Sequence, residues 1–248
     1  MRVRQITFSP TGGTRRVCDQ ICIGMGGEVH ATELCLPEGK LLLPRISLDD
    51  IVVIAMPVYA GRVPAMAVER LRRIKSNGAR CTVVAVYGNR HYDDALLEML
   101  DMASGMGFRV IAAISAVAEH SIARCYGKGR PDAADRVELM QFGKRILSAT
   151  GETELHVPGN KPYKEAKEGV VPVAGEACTG CGLCAKECPA GAIMADNPHV
   201  VNKEACISCM RCVAICPSAA RSIGAMQEMI TEHLKPLCAK RKGNELFI

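Results

Sequence analysis

Eight cysteines in the C-terminal third of this 248-residue chain have types and spacing suited to metal–thiolate chemistry. They form two copies of the pattern C-x2-C-x2-C-x3-C-P, one starting at Cys178 and the other 28 residues later at Cys206. An iron–sulfur cube needs four thiolates that converge on a small volume. A tight loop with a cysteine every third residue supplies three of them, and the fourth must come from elsewhere. Pro189 and Pro217 redirect the chain after the last cysteine of each copy, because proline fixes φ.

This double pattern resembles that of bacterial two-cluster ferredoxins. In that family, three cysteines of each copy bind one [4Fe-4S] cluster and the fourth binds the other. The resemblance implies a cluster 1 and a cluster 2 with the ligands Cys178, Cys181, Cys184 and Cys216 (cluster 1) and Cys206, Cys209, Cys212 and Cys188 (cluster 2). Disulfides and structural zinc are the alternatives, but zinc needs only four ligands per ion and does not account for a twice-repeated pattern ending in proline.

The first 150 residues alternate between apolar strands and helical patterns five times. Strands are expected at 3–8, 31–36, 51–56, 81–87 and 108–118. The continuous apolar runs are typical of strands covered on both faces, and the alternation predicts an α/β fold with a doubly wound parallel sheet. Ligands of such sheets bind beyond the carboxyl ends of the strands.

The first loop at that edge is rich in hydroxyl groups and glycine. It offers Ser9, Thr11, Gly12, Gly13 and Thr14 at the N-terminus of a predicted helix, where backbone N–H groups favour a phosphate. The loop matches neither of the glycine patterns that bind ATP or dinucleotides. It resembles the phosphate loop of flavodoxins, which bind FMN. The alternative is an ordinary glycine turn capped by serine or threonine.

Two further loops follow apolar strands, where flavodoxins enclose the flavin ring. Tyr59 and Tyr92 are the candidates for stacking on the ring, and Asn89 is a candidate for its pyrimidine edge. Both tyrosines could equally be ordinary rim residues. The predicted contributors are Pro57, Val58, Tyr59, Ala60, Gly61 and Arg62 from the second loop, and Gly88, Asn89, Arg90, Tyr92 and Asp93 from the third.

The strings PVYAGRVP and YGNRHYDDAL, together with the cysteine pattern, resemble flavodoxin-ferredoxin fusion proteins of anaerobes. The resemblance implies a five-stranded sheet of order 2-1-3-4-5, a small α+β ferredoxin domain, FMN and two [4Fe-4S] clusters. We expect the FMN-binding domain at 1–150, a linker at 151–169, the ferredoxin domain at 170–224 and a tail at 225–248, whose start suggests a short amphipathic helix.

The charge distribution bears on redox properties and partners. The net charge is +5, and residues 1–150 carry the excess, with 20 Lys and Arg against 15 Asp and Glu. We expect Arg62 or Arg90 to stabilise a fully reduced, anionic flavin. His91 and His120 are weak candidates for a proton donor. His120 is more simply explained as a strand-end residue that bonds to the backbone.

These features favour an electron carrier that passes electrons between the clusters, FMN and an acidic redox protein such as ferredoxin or an oxidoreductase. The alternatives are an FMN-dependent reductase of a small molecule and an empty docking domain. The modest basic excess without a recognition motif argues against nucleic acid. With no apolar run of spanning length and no signal peptide, we expect a cytoplasmic protein. The oligomeric state stays open, with a homodimer as one alternative.

Overall fold

The computed structural model describes residues 1–149, 155–167 and 169–248. Five parallel strands form the main sheet in the order β2-β1-β3-β4-β5, which confirms the predicted flavodoxin-like topology. The strands are β1 (Arg2–Thr7), β2 (Glu28–Glu33), β3 (Ile51–Pro57), β4 (Arg80–Tyr87) and β5 (Arg109–Val117).

Helices cover both faces of this sheet. The two faces carry α1 (Gly13–Met25) with α4 (Ala133–Leu147) and α2 (Ala65–Arg72) with α3 (Ala95–Gly105). Successive residues of β3 pack alternately into the two cores, so the uninterrupted apolar run of this strand is a consequence of its central place.

Two predicted boundaries differ from the structure. Pro64 and Gly78 predict the start and the end of the second helix, but this helix ends at Arg72, and Gly78 instead adopts a left-handed turn (φ 73°) leading into β4. The second strand begins at Glu28 rather than at residue 31, because its pairing with β1 places Arg2 opposite Glu28. Leu34 and Cys35 follow this edge strand and are buried outside the ladder.

The cysteine-rich part forms a second, small α+β unit. It contains β6 (Val173–Ala174), α5 (Leu183–Lys186), α6 (Arg211–Ala214) and β7 (Arg221–Ser222), and β6 pairs antiparallel with β7. The repeat in sequence is also a repeat in backbone conformation. Gly180 and Gly182 of the first copy are left-handed, and so are the equivalent Ser208 and Met210 of the second.

The tail returns to the first domain. It forms α7 (Met226–Cys238) and β8 (Glu245–Phe247), which adds a sixth, antiparallel strand beside β5. The Asn244 side chain accepts a hydrogen bond from the Val117 backbone (2.9 Å), and Arg130 donates to the Lys242 carbonyl (2.7 Å). The five-stranded sheet predicted for residues 1–150 is therefore extended by the last residues of the chain. In the described part of the chain, no helix combines the length and apolar character needed to cross a membrane.

Candidate functional site

A cavity of about 550 Å³ lies at the carboxyl edge of the main sheet. Four loops of the first domain line it, and three later segments close it: the linker, the second cysteine loop and α7. Its volume is within the range of small-molecule sites. The lining residues that we use below are Thr11, Gly13, Thr14, Pro57, Val58, Tyr59, Ala60, Tyr87, Gly88, Arg90, His120, Lys164, Lys167, Cys206, Ile207, Ser208, Ile230, His233, Leu234 and Leu237.

The first loop presents part of its predicted set to the cavity. Thr11, Gly13 and Thr14 line it at the start of α1. Ser9 lies behind them, and its hydroxyl accepts a hydrogen bond from the Arg15 backbone at 2.9 Å. Gly12 is left-handed (φ 85°) and precedes the helix. The loop thus has the backbone of an anion site, with two threonines facing the cavity.

The second loop places Tyr59 at the cavity but directs Arg62 elsewhere. Tyr59 and Arg62 exchange two backbone hydrogen bonds, which close a tight turn. Gly61 is left-handed (φ 91°), and a Cβ there would lie 2.2 Å from Asp93, so the turn requires glycine. The Arg62 guanidinium binds Glu98 and the Lys164 carbonyl.

In the third loop, Gly88 and Arg90 line the cavity, whereas three predicted residues serve other contacts. The buried Asn89 amide donates to the Cys238 carbonyl (2.8 Å) and accepts from the Lys242 backbone (3.0 Å). Tyr92 is buried, and its hydroxyl donates to Glu245 of β8 (2.8 Å). Asp93 forms ion pairs with Arg90 and Lys164. The structure therefore leaves Tyr59, with the unpredicted Tyr87, as the aromatic side chains of the first domain at the cavity.

These contacts bear on the expectation for the two arginines. Arg62 does not line the cavity, and its charge is compensated by Glu98. Arg90 lines the cavity together with Lys164, and these two cations share one carboxylate, Asp93. Because Asp93 compensates only one of the two charges, Arg90 with Lys164, rather than Arg62, is placed to stabilise an anion in the cavity.

His120 lines the cavity, and His91 does not. His120 Nδ1 accepts hydrogen bonds from the Ile122 and Ala123 backbones, both at 3.1 Å, so a neutral ring carries its proton on Nε2. Burial, assisted by the charge of Arg90, lowers the pKa of His120 to about 4. His91 stacks on Tyr92 with ring centroids 5.0 Å apart, and its Nδ1 accepts from the Asp93 backbone. His120 is thus both a backbone-bonding residue and a neutral N–H donor at the cavity.

We predict that His120 stays neutral as the pH falls from about 8 to about 5.5, because the buried ring resists a positive charge. Nitrogen-detected NMR of histidine-labelled protein checks this. One buried imidazole should keep an unprotonated Nδ1 and a protonated Nε2 throughout, and His120→Gln should remove that signal. A His120 signal that titrates near the ordinary value of about 6.5 would contradict the assignment.

The cysteines predicted for cluster 2 lie together. Cys188, Cys206, Cys209 and Cys212 line one small cavity. Burial raises the pKa of Cys209 to about 12, and the other three thiols of this set reinforce the effect. These four thiols line a cavity and do not converge on a single position. In the described residues, no three His, Cys, Asp or Glu side chains are grouped closely enough to hold one metal ion. All fourteen cysteines are free thiols.

For the cluster 1 set, the structure brings Cys184 and Cys216 to a common neighbour. Both sulfurs interact with Arg221, Cys184 through the guanidinium (3.6 Å) and Cys216 through the backbone N–H. The repeat extends to the fourth cysteines, since the backbones of Ala192 and Ala220 donate to Cys188 and Cys216, each at 3.3 Å. Thiolate donors, N–H groups directed at sulfur and a small cavity fit an iron–sulfur cluster.

The two cavities share part of their lining. Cys206 and Ile207 line both the large cavity and the small one lined by the cluster 2 cysteines. Tyr59 also lines the large cavity, and burial raises the pKa of its hydroxyl, with the Cys209 and Cys35 thiols adding to this rise. The large cavity is therefore adjacent to the loop that carries the cluster 2 cysteines.

Sequence reasoning missed the residues that close the cavity from the C-terminal half. Ile230, His233, Leu234 and Leu237 of α7 share one helical face, and this i, i+3, i+4, i+7 spacing was a readable signal. No local signal marks Lys164, Lys167 or Ser208, because they reach the site only through long-range packing. At Gly169, a Cβ would lie 2.1 Å from the Ser208 hydroxyl, so linker and cysteine loop are in close contact.

The linker predicted at 151–169 is ordered where the structure describes it; residues 150–154 and 168 lie outside that description. Asp94 binds it through three hydrogen bonds, from the backbone and side chain of Asn160 to one carboxylate oxygen and from the Lys164 backbone (2.8 Å) to the other. Tyr163 and Lys161 both bind Asp101. The linker therefore fixes the cysteine-rich unit against the first domain.

We predict that Asp94→Ala releases the linker and lowers the free energy of unfolding by about 2 kcal/mol or more, because a buried carboxylate and its hydrogen bonds are lost. Thermal unfolding and limited proteolysis within 155–167 measure both effects. Asp49→Ala, at an exposed position, is the matched control and should change neither. An Asp94→Ala protein as resistant to protease as the control would contradict this role.

Comparisons with known proteins found one family model and several similar structures. Residues 172–217 match the family model of the 4Fe-4S dicluster domain. A flavodoxin of Streptococcus pneumoniae TIGR4 has 16% identity and a TM-score of 0.42, covering 60% of this chain and 99% of its own. Two-electron reduced Megasphaera elsdenii flavodoxin has 15% identity and a TM-score of 0.41, covering 59% and 99%. An FMN-dependent NADH-azoreductase of Bacillus anthracis has 11% identity and a TM-score of 0.39, covering 60% and 100%.

No curated protein matches the sequence. We assign the flavodoxin-like fold of the first domain from its strand order and not from these structural similarities. The chain thus joins a flavodoxin-like domain to a 4Fe-4S dicluster domain. This combination is typical of proteins that transfer electrons.

Proposed function

We propose that this protein is an electron carrier in which one FMN and two [4Fe-4S] clusters exchange electrons within one chain. The observation that carries the proposal is the shared wall: Cys206 and Ile207 line both the large cavity and the cavity of the cluster 2 cysteines. Electron tunnelling falls steeply with distance, so cofactors in two cavities that share part of their lining are well placed for it. The flavin supplies the exchange between one-electron and two-electron chemistry.

In this proposal the FMN phosphate binds the loop of Thr11, Gly13 and Thr14, and the ring lies towards Tyr59 and Arg90. Thr11 and Thr14 offer hydroxyl groups, and the start of α1 offers N–H groups without a lysine. Ser9, Gly12, Gly61, Asn89, Tyr92 and Asp93 act indirectly, by shaping these loops. The domain bounds 1–150, 151–169 and 170–224 are part of the proposal, with residues 225–248 completing the first domain.

The proposal also includes an order of the cofactors, which the lining of the cavities supports. Cluster 2, on Cys206, Cys209, Cys212 and Cys188, is the proximal cluster, because its loop lines the flavin cavity. Cluster 1, on Cys178, Cys181, Cys184 and Cys216, is distal, and the exposed side chain of Cys181 places it nearer the solvent. An external redox protein would exchange electrons at cluster 1. The positive charge of the chain favours an acidic partner.

A second candidate function is the reduction of a small molecule above the flavin. Its support is the α7 wall, where Ile230, Leu234 and Leu237 give the cavity an apolar side opposite the sheet. His120 would then donate a hydrogen bond through Nε2–H to the group that is reduced, because its low pKa keeps the ring neutral, and solvent would supply the protons of the reaction.

Anaerobic purification followed by assays of iron, sulfide and flavin tests the proposal. We expect about eight iron atoms and one FMN per chain. Fewer than two clusters, or a chain that binds no FMN when the cofactor is supplied, would reject it. One assay distinguishes the two candidate functions. In it, the reduced protein is mixed with an acidic ferredoxin or with small quinones. Electron transfer to ferredoxin alone, weakening at high ionic strength, supports the carrier.

A further inference from the structure

A buried guanidinium lies between the two sets of cysteines. Arg221, the first residue of β7, is 3% exposed. Its Nη1 donates to Cys184 Sγ of the cluster 1 set at 3.6 Å. Arg221 also lines the small cavity that the four cysteines of the cluster 2 set line. One cation therefore lies beside both sets of cysteines.

The protein holds this cation in place with carbonyl groups. Nη1 also donates to the Pro198 carbonyl and Nη2 to the Pro172 carbonyl, both at 2.8 Å. Its backbone is fixed by pairing with Ala174 of β6. These contacts orient the guanidinium, but neutral carbonyls do not compensate its charge.

No carboxylate pairs with Arg221 among residues 1–149, 155–167 and 169–248, whereas the buried Arg130 pairs with Asp135. In the same described residues the buried Nε–H of Arg221 has no acceptor. Burying a charge without a partner is costly. A cube bound by four thiolates carries a net negative charge that grows by one on reduction, so two clusters would supply the missing compensation.

We propose that Arg221 is the shared counter-charge of the two clusters and raises the reduction potential of both. This inference rests on the proposed function, because it requires that both clusters are present. A cation at this position stabilises the reduced form of each cluster more than the oxidised form. Because it lies beside both, it also lowers the repulsion between two electrons stored on neighbouring clusters.

The test compares two arginines of the same unit. Arg211 also lies beside the cluster 2 cavity, but Glu187 compensates it at 2.9 Å. Redox titrations of Arg221→Met and Arg211→Met, followed by EPR, measure both clusters against the wild type. For Arg221→Met we expect the equilibrium constant for one-electron reduction of each cluster to fall at least tenfold, which lowers its reduction potential by at least about 59 mV. For Arg211→Met we expect less than a threefold change.

Arg221→Lys distinguishes charge from packing. It keeps the charge and loses part of the hydrogen bonding, so we expect potentials closer to the wild type than those of Arg221→Met. Arg221→Gln, which also removes the charge, takes the place of Arg221→Met if the methionine variant fails to assemble its clusters. Unshifted potentials in a charge-removing variant of Arg221 with full iron content would overturn the inference. A shift of one cluster alone, or equal shifts in Arg221→Met and Arg211→Met, would also overturn it. A wild-type protein with fewer than two clusters would instead reject the proposed function.

Discussion

Removing cluster 2 should disconnect the flavin from the remaining cluster, whereas removing cluster 1 should not. Cys209→Ala and Cys181→Ala change the second cysteine of each copy and should each reduce the iron content from about eight to about four atoms per chain. In Cys209→Ala the distal cluster remains, and we expect its exchange with FMN to slow by at least a hundredfold because of the added distance. In Cys181→Ala the proximal cluster remains, and exchange should stay within a few-fold of wild type.

Stopped-flow absorbance after a substoichiometric pulse of a one-electron reductant measures this exchange, since flavin and clusters absorb differently. Cys125→Ala is the control, because Cys125 is exposed and lies outside both ligand sets. It should retain full iron content and wild-type exchange. The opposite order, with Cys181→Ala slow and Cys209→Ala fast, would show that cluster 1 is the proximal one.

The second large effect is expected at the phosphate loop. Thr11→Glu places a negative charge where the FMN phosphate would bind, so we expect the dissociation constant for FMN to rise at least a hundredfold, about 2.7 kcal/mol. Thr11→Ser, which keeps the hydroxyl, should change it less than fivefold. Fluorescence titration of the flavin-free protein with FMN measures both.

Gln141→Glu is the matched control for Thr11→Glu, because it adds the same charge on the exposed side of α4. Its FMN affinity should equal that of the wild type. The iron content of all three variants should be unchanged, since neither Thr11 nor Gln141 is a proposed cluster ligand. FMN affinity of Thr11→Glu within threefold of wild type would place the phosphate elsewhere.

The elements that the sequence predicted correctly are those fixed by local patterns. The apolar runs of β3 and β4 require cover on both faces, and this requirement leads directly to a doubly wound sheet. The resemblance to two-cluster ferredoxins grouped the four cysteines of the cluster 2 set, which line one small cavity, and three of them lie in one tight loop. Gly61 and Gly88 were placed at the correct edge for the same reason: turns after strands are local.

Side-chain direction depended on contacts far along the chain and was not predictable. Asn89 is directed to the carbonyl of Cys238, 149 positions away, and Tyr92 to Glu245, 153 positions away. Arg62 binds the linker instead of the cavity. In each case a partner belongs to the linker or the tail, and no sequence motif of these segments identifies the partner residue. The tail also supplies β8 and the α7 wall, which a reading of residues 1–150 alone could not contain.

The rate of intramolecular electron exchange, measured as a function of protein concentration, tests the central claim most directly. Anaerobically prepared protein with both cofactors is mixed with a substoichiometric one-electron reductant, and the redistribution between clusters and flavin is followed. If electrons pass between cofactors of the same chain, the rate constant for their exchange is independent of protein concentration. A rate that rises in proportion to concentration, or a flavin that stays oxidised beside reduced clusters of lower potential, would contradict the account.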